Sequence, residues 1–97
     1  MSRKRIRWTG RALRRLDEIG ARIEKNNPEA AARVIARIVN AAEHLADQPA
    51  MGRIGRIKTT RELVLVDTPY IVPYRVYGET VEILTVLHAA QRWPQAL

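Results

Sequence analysis

The chain has 97 residues, no cysteine, and 17 Lys+Arg against 10 Asp+Glu, for a formal charge of +7. That length makes one domain, spanning 1–97, which can close a single core without a metal or disulfides; the lack of cysteine removes disulfide frameworks, thiolate nucleophiles and cysteine-based zinc sites. The charge points to polyanions or an acidic protein as partners, and the basic start at Arg3, Lys4, Arg5 and Arg7 runs into Arg11, Arg14 and Arg15 rather than an apolar stretch, so neither a signal peptide nor a membrane span is expected.

Arg5-Ile6-Arg7-Trp8 alternates polar and apolar residues, which predicts a short strand with Ile6 and Trp8 on one face, pairing with the later sheet. Thr9 suits an N-cap, and Leu13, Leu16, Ile19 and Ile23 then recur every three or four residues, predicting an amphipathic helix from roughly Gly10 to Lys25. Asn26-Asn27-Pro28-Glu29 ends that helix and begins another. Asn27 can cap, Pro28 fits the first helical position, and Glu29 complements the positive end of the helix dipole. Ala31, Val34, Ile35, Ile38, Ala42 and Leu45 form the apolar stripe of this second helix, which ends before Pro49. The two helices should form a tight hairpin.

Pro49 to Arg56 carries Gly52, Gly55, Arg53 and Arg56 and reads as a loop between the hairpin and a sheet. Thr60–Val64, Tyr70–Tyr77 and Val81–His88 are β-branched, apolar runs separated by Asp67-Thr68-Pro69 and by Gly78-Glu79, a two-residue hairpin turn with glycine first. Pro73 cannot donate to a ladder, which predicts an irregularity beside it. The fold class is α+β: a short N-terminal strand and a helical hairpin packed on a small antiparallel sheet, in the order β-α-α-β-β-β. The second face of that sheet is left for solvent or a ligand.

Familiar hydrolase chemistry finds no support, because the chain lacks a Gly-rich phosphate loop, a paired-histidine metal motif and any serine beyond Ser2. No cofactor or metal is expected. What remains is basic: Arg61, Arg75, His88 and Arg92 along the closing strands, with Arg53, Arg56 and Lys58 in the loop. Arginine suits phosphate because its planar guanidinium stays charged and can bind two oxygens at once. Histidine is the usual side chain for general acid–base work, so a metal-free RNA cleavage would use His88 to move the proton while the arginines stabilise the charged transition state. Each residue also has a purely structural reading: Arg61 pairing with Glu62 or Glu82, His88 hydrogen-bonded at a strand end, Trp93 packing a tail, and Arg11, Arg14, Arg15 and Arg22 forming a solvated helix face.

Taken in order, the short first strand, the helical hairpin, the Gly52-Arg53 loop, Thr60-Arg61-Glu62-Leu63-Val64, Tyr74-Arg75-Val76, Val86-Leu87-His88 and Arg92-Trp93-Pro94 resemble the RelE/ParE toxin superfamily of bacterial type II toxin–antitoxin systems over essentially the whole chain. The resemblance implies a small basic cytoplasmic toxin neutralised by a cognate antitoxin. It further implies one of two targets: messenger RNA at the ribosome for RelE-like members, or DNA gyrase for ParE-like ones. RelE-like nucleases commonly place an arginine where this chain has Ile71, and a tyrosine near the C-terminus where this chain has none after Tyr77. The resemblance therefore favours the ParE-like, non-enzymatic branch, with Arg61, Arg75, Arg53, Arg56 and Trp93 as contacts to antitoxin or target. His88, Arg61, Arg75 and Arg92 would be catalytic only in the nuclease alternative.

Overall fold

A computed structural model describes residues 3–97. Its elements are β1 (Arg5–Trp8), α1 (Gly10–Glu24), α2 (Pro28–His44), β2 (Arg53–Ile54), β3 (Arg61–Val64), β4 (Tyr70–Tyr77), β5 (Thr80–Ile83) and β6 (Leu87–His88). The caps are those the sequence predicts: Thr9 accepts from the Ala12 N–H and Asn27 from the Ala30 N–H, with Pro28 opening α2. At the hairpin turn between β4 and β5, Gly78 takes a positive φ of 56°, a conformation that glycine adopts at no steric cost.

The sheet runs β1-β5-β4-β3-β2, with β6 also pairing β4. It is mixed rather than purely antiparallel, because β1 lies parallel to β5 with Ile6 opposite Val81. Turn chemistry orients neighbouring strands, but β1 and β5 are separated by the whole helical hairpin, and the route of that crossover sets their direction. β2 and β6 are two-residue strands within segments that read as a loop and as the end of a longer strand.

Both helices pack on one face. Ala12, Leu16 and Ile19 of α1 and Ile38, Ala41 and Ala42 of α2, with Leu45, meet Leu63, Leu65, Tyr70, Val72, Tyr74, Val81, Ile83 and Val86 of the sheet. Leu13 does not join them and is half exposed, because the buried stripe is centred on Ala12 and Leu16, one position round the helix. Burying a large apolar side chain contributes about 1.5–3 kcal/mol, so this layer supplies most of the favourable free energy. Arg37 of α2 clasps the β3–β4 turn through Asp67, donating from Nε at 2.9 Å and Nη2 at 2.7 Å.

Pro73 sits in the middle of β4, the central strand, and the irregularity falls on its partner. Tyr74 pairs with Ile83 and Ile71 with Leu87, so Val72 and Pro73 face three residues, Leu84, Thr85 and Val86. This is a β-bulge. The Leu84 N–H still donates to the Pro73 carbonyl at 3.0 Å, but proline has no N–H to return to Leu84. Thr9 replaces it: its hydroxyl donates to the Leu84 carbonyl at 3.0 Å while accepting from Ala12. The Val86 carbonyl receives Arg15 Nε at 3.0 Å. The N-cap of α1 and one residue within it thus satisfy the carbonyls left over by the bulge.

Replacing Thr9 by Val removes both the cap and the donor, and should cost about 1–3 kcal/mol in chemical denaturation, with Ser restoring most of it. Wild-type stability in the Val variant would show that neither bond contributes. Asp67 is held below the ordinary carboxylate range, first by its hydrogen bond from Arg37. A depressed carboxyl stabilises above its unfolded pKa of about 4 and loses that contribution as pH falls through the lower folded value. The stability curves of wild type and Arg37→Gln should therefore differ slightly near neutrality, the pair being exposed, and converge in acid.

Candidate functional site

Alternation along β3, β4 and β5 sends Glu62, Ile71, Pro73, Arg75, Tyr77 and Glu82 to the face opposite the helices. Much of this face is closed rather than open: Ile71 is 7% exposed, Glu62 2% and Glu82 5%. Each buried carboxylate is a hub for arginines. Glu62 Oε1 accepts from Arg53 Nε at 2.9 Å, and Oε2 from the Arg56 backbone N–H at 2.8 Å. The Arg56 guanidinium lies 3.6 Å above the Trp93 ring, so the loop after β2 and the C-terminal segment meet over this face. Glu82 pairs with Arg7 and with Arg75, whose Nε donates to Oε1 at 2.9 Å.

Behind the loop, Tyr74 reaches through the core with its hydroxyl donating to the Pro49 carbonyl at 2.7 Å and accepting from the Gly52 N–H at 2.8 Å. A Cβ on Gly52 would meet the Tyr74 hydroxyl at 2.7 Å and the Glu62 carbonyl at 2.9 Å, so only glycine fits. Arg61 donates to the Gly52 carbonyl at 2.8 Å. In the loop itself, Thr59 adopts φ 68°, a strained conformation for a β-branched residue.

These placements sort the predicted residues. Arg53, Arg56 and Trp93 form one cluster around Glu62. Arg75 belongs to Glu82, and Arg61 leaves the opposite face of the sheet, since its register partner is Tyr74. His88 pairs with Tyr70 and meets its ring edge-on at 5.6 Å between centroids. Its Nδ1 accepts from the Ala90 N–H at 3.1 Å, which puts the neutral ring's hydrogen on Nε2. Arg92 lines a separate groove with Arg11, Arg14 and Arg15. His88, Arg61, Arg75 and Arg92 are therefore not assembled around one point.

The sequence offers Glu62 and Glu82 only as partners of Arg61, which instead bonds the Gly52 carbonyl; that each carboxylate organises two other arginines was missed. The available signal was an acid at an alternate position within each β-branched strand. Sequence reasoning also missed Gln91, whose Oε1 accepts both from Arg15 Nη2 at 3.0 Å and from the His88 N–H at 2.8 Å.

A helical hairpin on a mixed sheet, with a basic loop and C-terminal segment tied across its second face, defines the toxin class suggested by the strand motifs. Residues 6–93 match the family model described as "ParE toxin of type II toxin-antitoxin system, parDE". The chain belongs to that family. It is 71% identical over 97 residues, all of both chains, to "Putative toxin Y4kP" of Sinorhizobium fredii. It is 42% identical over 84 residues to "Toxin RelE2" of Caulobacter vibrioides, covering 87% of this chain and 93% of that one. Among solved structures, it superimposes on a chromosomal ParDE system from P. aeruginosa with TM-score 0.80 and 27% identity, covering 88% of this chain and 95% of the other. It also matches the RelBE2 toxin–antitoxin complex of Mycobacterium tuberculosis with TM-score 0.66 and 27% identity, covering 89% and 98%.

Tyr74→Phe would orphan the Gly52 N–H and the Pro49 carbonyl, and should cost about 1–3 kcal/mol on denaturation. Burial is the main cause that raises the Tyr74 pKa above its usual value, opposed by the Gly52 N–H and the Arg61 charge. A raised phenol stabilises fully below the unfolded value of about 10 and loses that contribution as pH rises through the folded one. Tyr74→Phe should consequently show a shallower alkaline fall in stability than wild type; identical slopes would contradict this role.

Proposed function

We propose that this chain is a ParE-like toxin that inhibits DNA gyrase without catalysing a reaction, acting in the bacterial cytoplasm and held inactive by a cognate antitoxin. The observation that carries this reading is the neutralisation of the sheet-face arginines. Arg53 and Arg56 engage Glu62, and Arg7 and Arg75 engage Glu82, leaving no preorganised cationic pair there for a pentavalent phosphate. His88 stands apart from them, with Nδ1 committed to the backbone. The alternative, a metal-independent ribosome-dependent mRNA endoribonuclease, is supported by the likeness to proteins named RelE2 and RelBE2.

Antitoxin binding has a physical basis at the edge of the sheet. β2 pairs only with Arg61 and Glu62, so the β3 edge from Leu63 onward is unpaired by strand. Beside it lies a groove lined by Arg37, Ala41, His44, Met51, Val64 and Leu65. An extended segment can add to such an edge through main-chain hydrogen bonds, placing apolar anchors in the groove. Arg53 and Arg56, each about half exposed, offer charge to acidic side chains. Like Arg61 and Arg75, they can do so only by sharing their present partners.

Induction of the chain, with gyrase supercoiling and ribosome-bound mRNA cleavage assayed in parallel, decides the target. Loss of supercoiling with intact transcripts is expected; transcript cleavage abolished by His88→Ala would establish the nuclease instead. For the antitoxin, Met51→Asp with Val64→Asp should weaken the purified complex at least tenfold while leaving the toxin's melting temperature nearly unchanged. Unaltered affinity would place the antitoxin elsewhere.

A further inference from the structure

The ion pairs of the described residues divide the basic side chains unevenly. Arg3, Lys4, Arg7, Arg15, Arg37, Arg53, Arg56 and Arg75 each have a carboxylate within 4 Å. Arg11, Arg14, Arg22 and Arg92 are not among these pairs, and all four are exposed. At about 100° per residue, Arg11, Arg14, Arg15, Glu18 and Arg22 share one face of α1. From Arg11 to Arg22 this face extends about 16 Å along the axis. Asp17 and Glu24 fall to its flank, leaving Glu18 as the acid on the stripe.

The stripe begins where positive charge is least welcome. The first turn of α1 contains no acidic residue but does contain Arg11, at the positive end of the helix dipole. Arg92 approaches the same end from the C-terminal segment, completing a groove with Arg11, Arg14, Arg15, Thr85 and Trp93. Arg15 is a strut here: it holds the Val86 carbonyl and Gln91, and Glu18 lies 3.7 Å away. Gln91 in turn holds the His88 N–H, so Arg15 fixes the segment that presents Arg92. The result is a row of exposed guanidinium groups in which Arg11, Arg14, Arg22 and Arg92 stand outside the ion pairs of the described residues, and an anion row would relieve their mutual repulsion.

We infer that the basic face of α1, completed by Arg92, is a binding site for the phosphate backbone of duplex DNA, read without sequence preference. A duplex presents fixed phosphates in line, and cations on a straight helix are sufficient to neutralise them. Single-stranded nucleic acid would require stacking platforms. Along this face α1 has none, and Trp93 beside it already has Arg56 on its ring. The site lies apart from the β3 edge and does not depend on gyrase being the target.

The test is fluorescence anisotropy of the full chain with a short duplex of arbitrary sequence, followed across roughly 50 to 200 mM salt. Four contacting arginines predict a slope of log affinity on log salt near ~−3.6, and Arg11→Gln with Arg14→Gln should reduce it to about −1.8. That pair should also lower affinity at least tenfold at the lower salt. The charge-matched pair Arg5→Gln with Arg33→Gln, both exposed and carried by β1 and α2, should change affinity less than threefold. Equal losses in the two pairs would reduce the effect to net charge and overturn the site. Absence of duplex binding would overturn it too, as would tighter binding of single-stranded RNA or of a polyglutamate peptide. Superimposable circular dichroism melts of both pairs show that the comparison concerns binding rather than folding.

Discussion

One missing hydrogen runs through the architecture. Pro73 occupies the central strand, where a ladder donor is required on the β5 side, and the chain answers with a bulge at Leu84-Thr85-Val86. The carbonyls displaced by that bulge are taken up by Thr9, the N-cap of α1, and by Arg15 within it. A backbone defect in the sheet thereby fixes where the first helix begins and what its second turn touches. The same Arg15, through Gln91, positions the C-terminal segment. Helix, sheet and tail are coupled at one place because a buried carbonyl without a partner is costly.

The second organising element is acidic. In a chain with excess positive charge, Glu62 and Glu82 are each nearly buried and each holds two arginines on the sheet face away from the helices. A buried carboxylate needs such partners to tolerate removal from water. The consequence for function is a division of charge: arginines of the sheet face serve the fold and the loop, whereas those on α1 remain available to a ligand.

The helices were legible because their signals are local. Thr9, Asn27 and Pro28 set the starts, and the apolar periodicity gave the faces, although the stripe of α1 runs through Ala12 rather than Leu13. The hairpin at Gly78-Glu79 was legible for the same reason, as was the need for an irregularity beside Pro73. The parallel direction of β1 was not, since no turn joins it to β5. Nor was the separation of Arg61 from Arg75: strand alternation places them on opposite faces once the register is known, whereas both simply read as basic residues in a run of strands.

The sequence alone establishes a basic, cysteine-free chain, two capped helices, the strand segments and the family those motifs resemble. Each depends on residues near one another in the chain or on composition. The folded structure sets which arginines are neutralised, which carbonyls Thr9 and Arg15 complete, and that the His88 ring meets Tyr70 and not the arginines held by Glu62 and Glu82. Those outcomes depend on pairing between segments as distant as Arg7 and Glu82 or Thr9 and Leu84, where burial and register choose the partner and local propensity is silent.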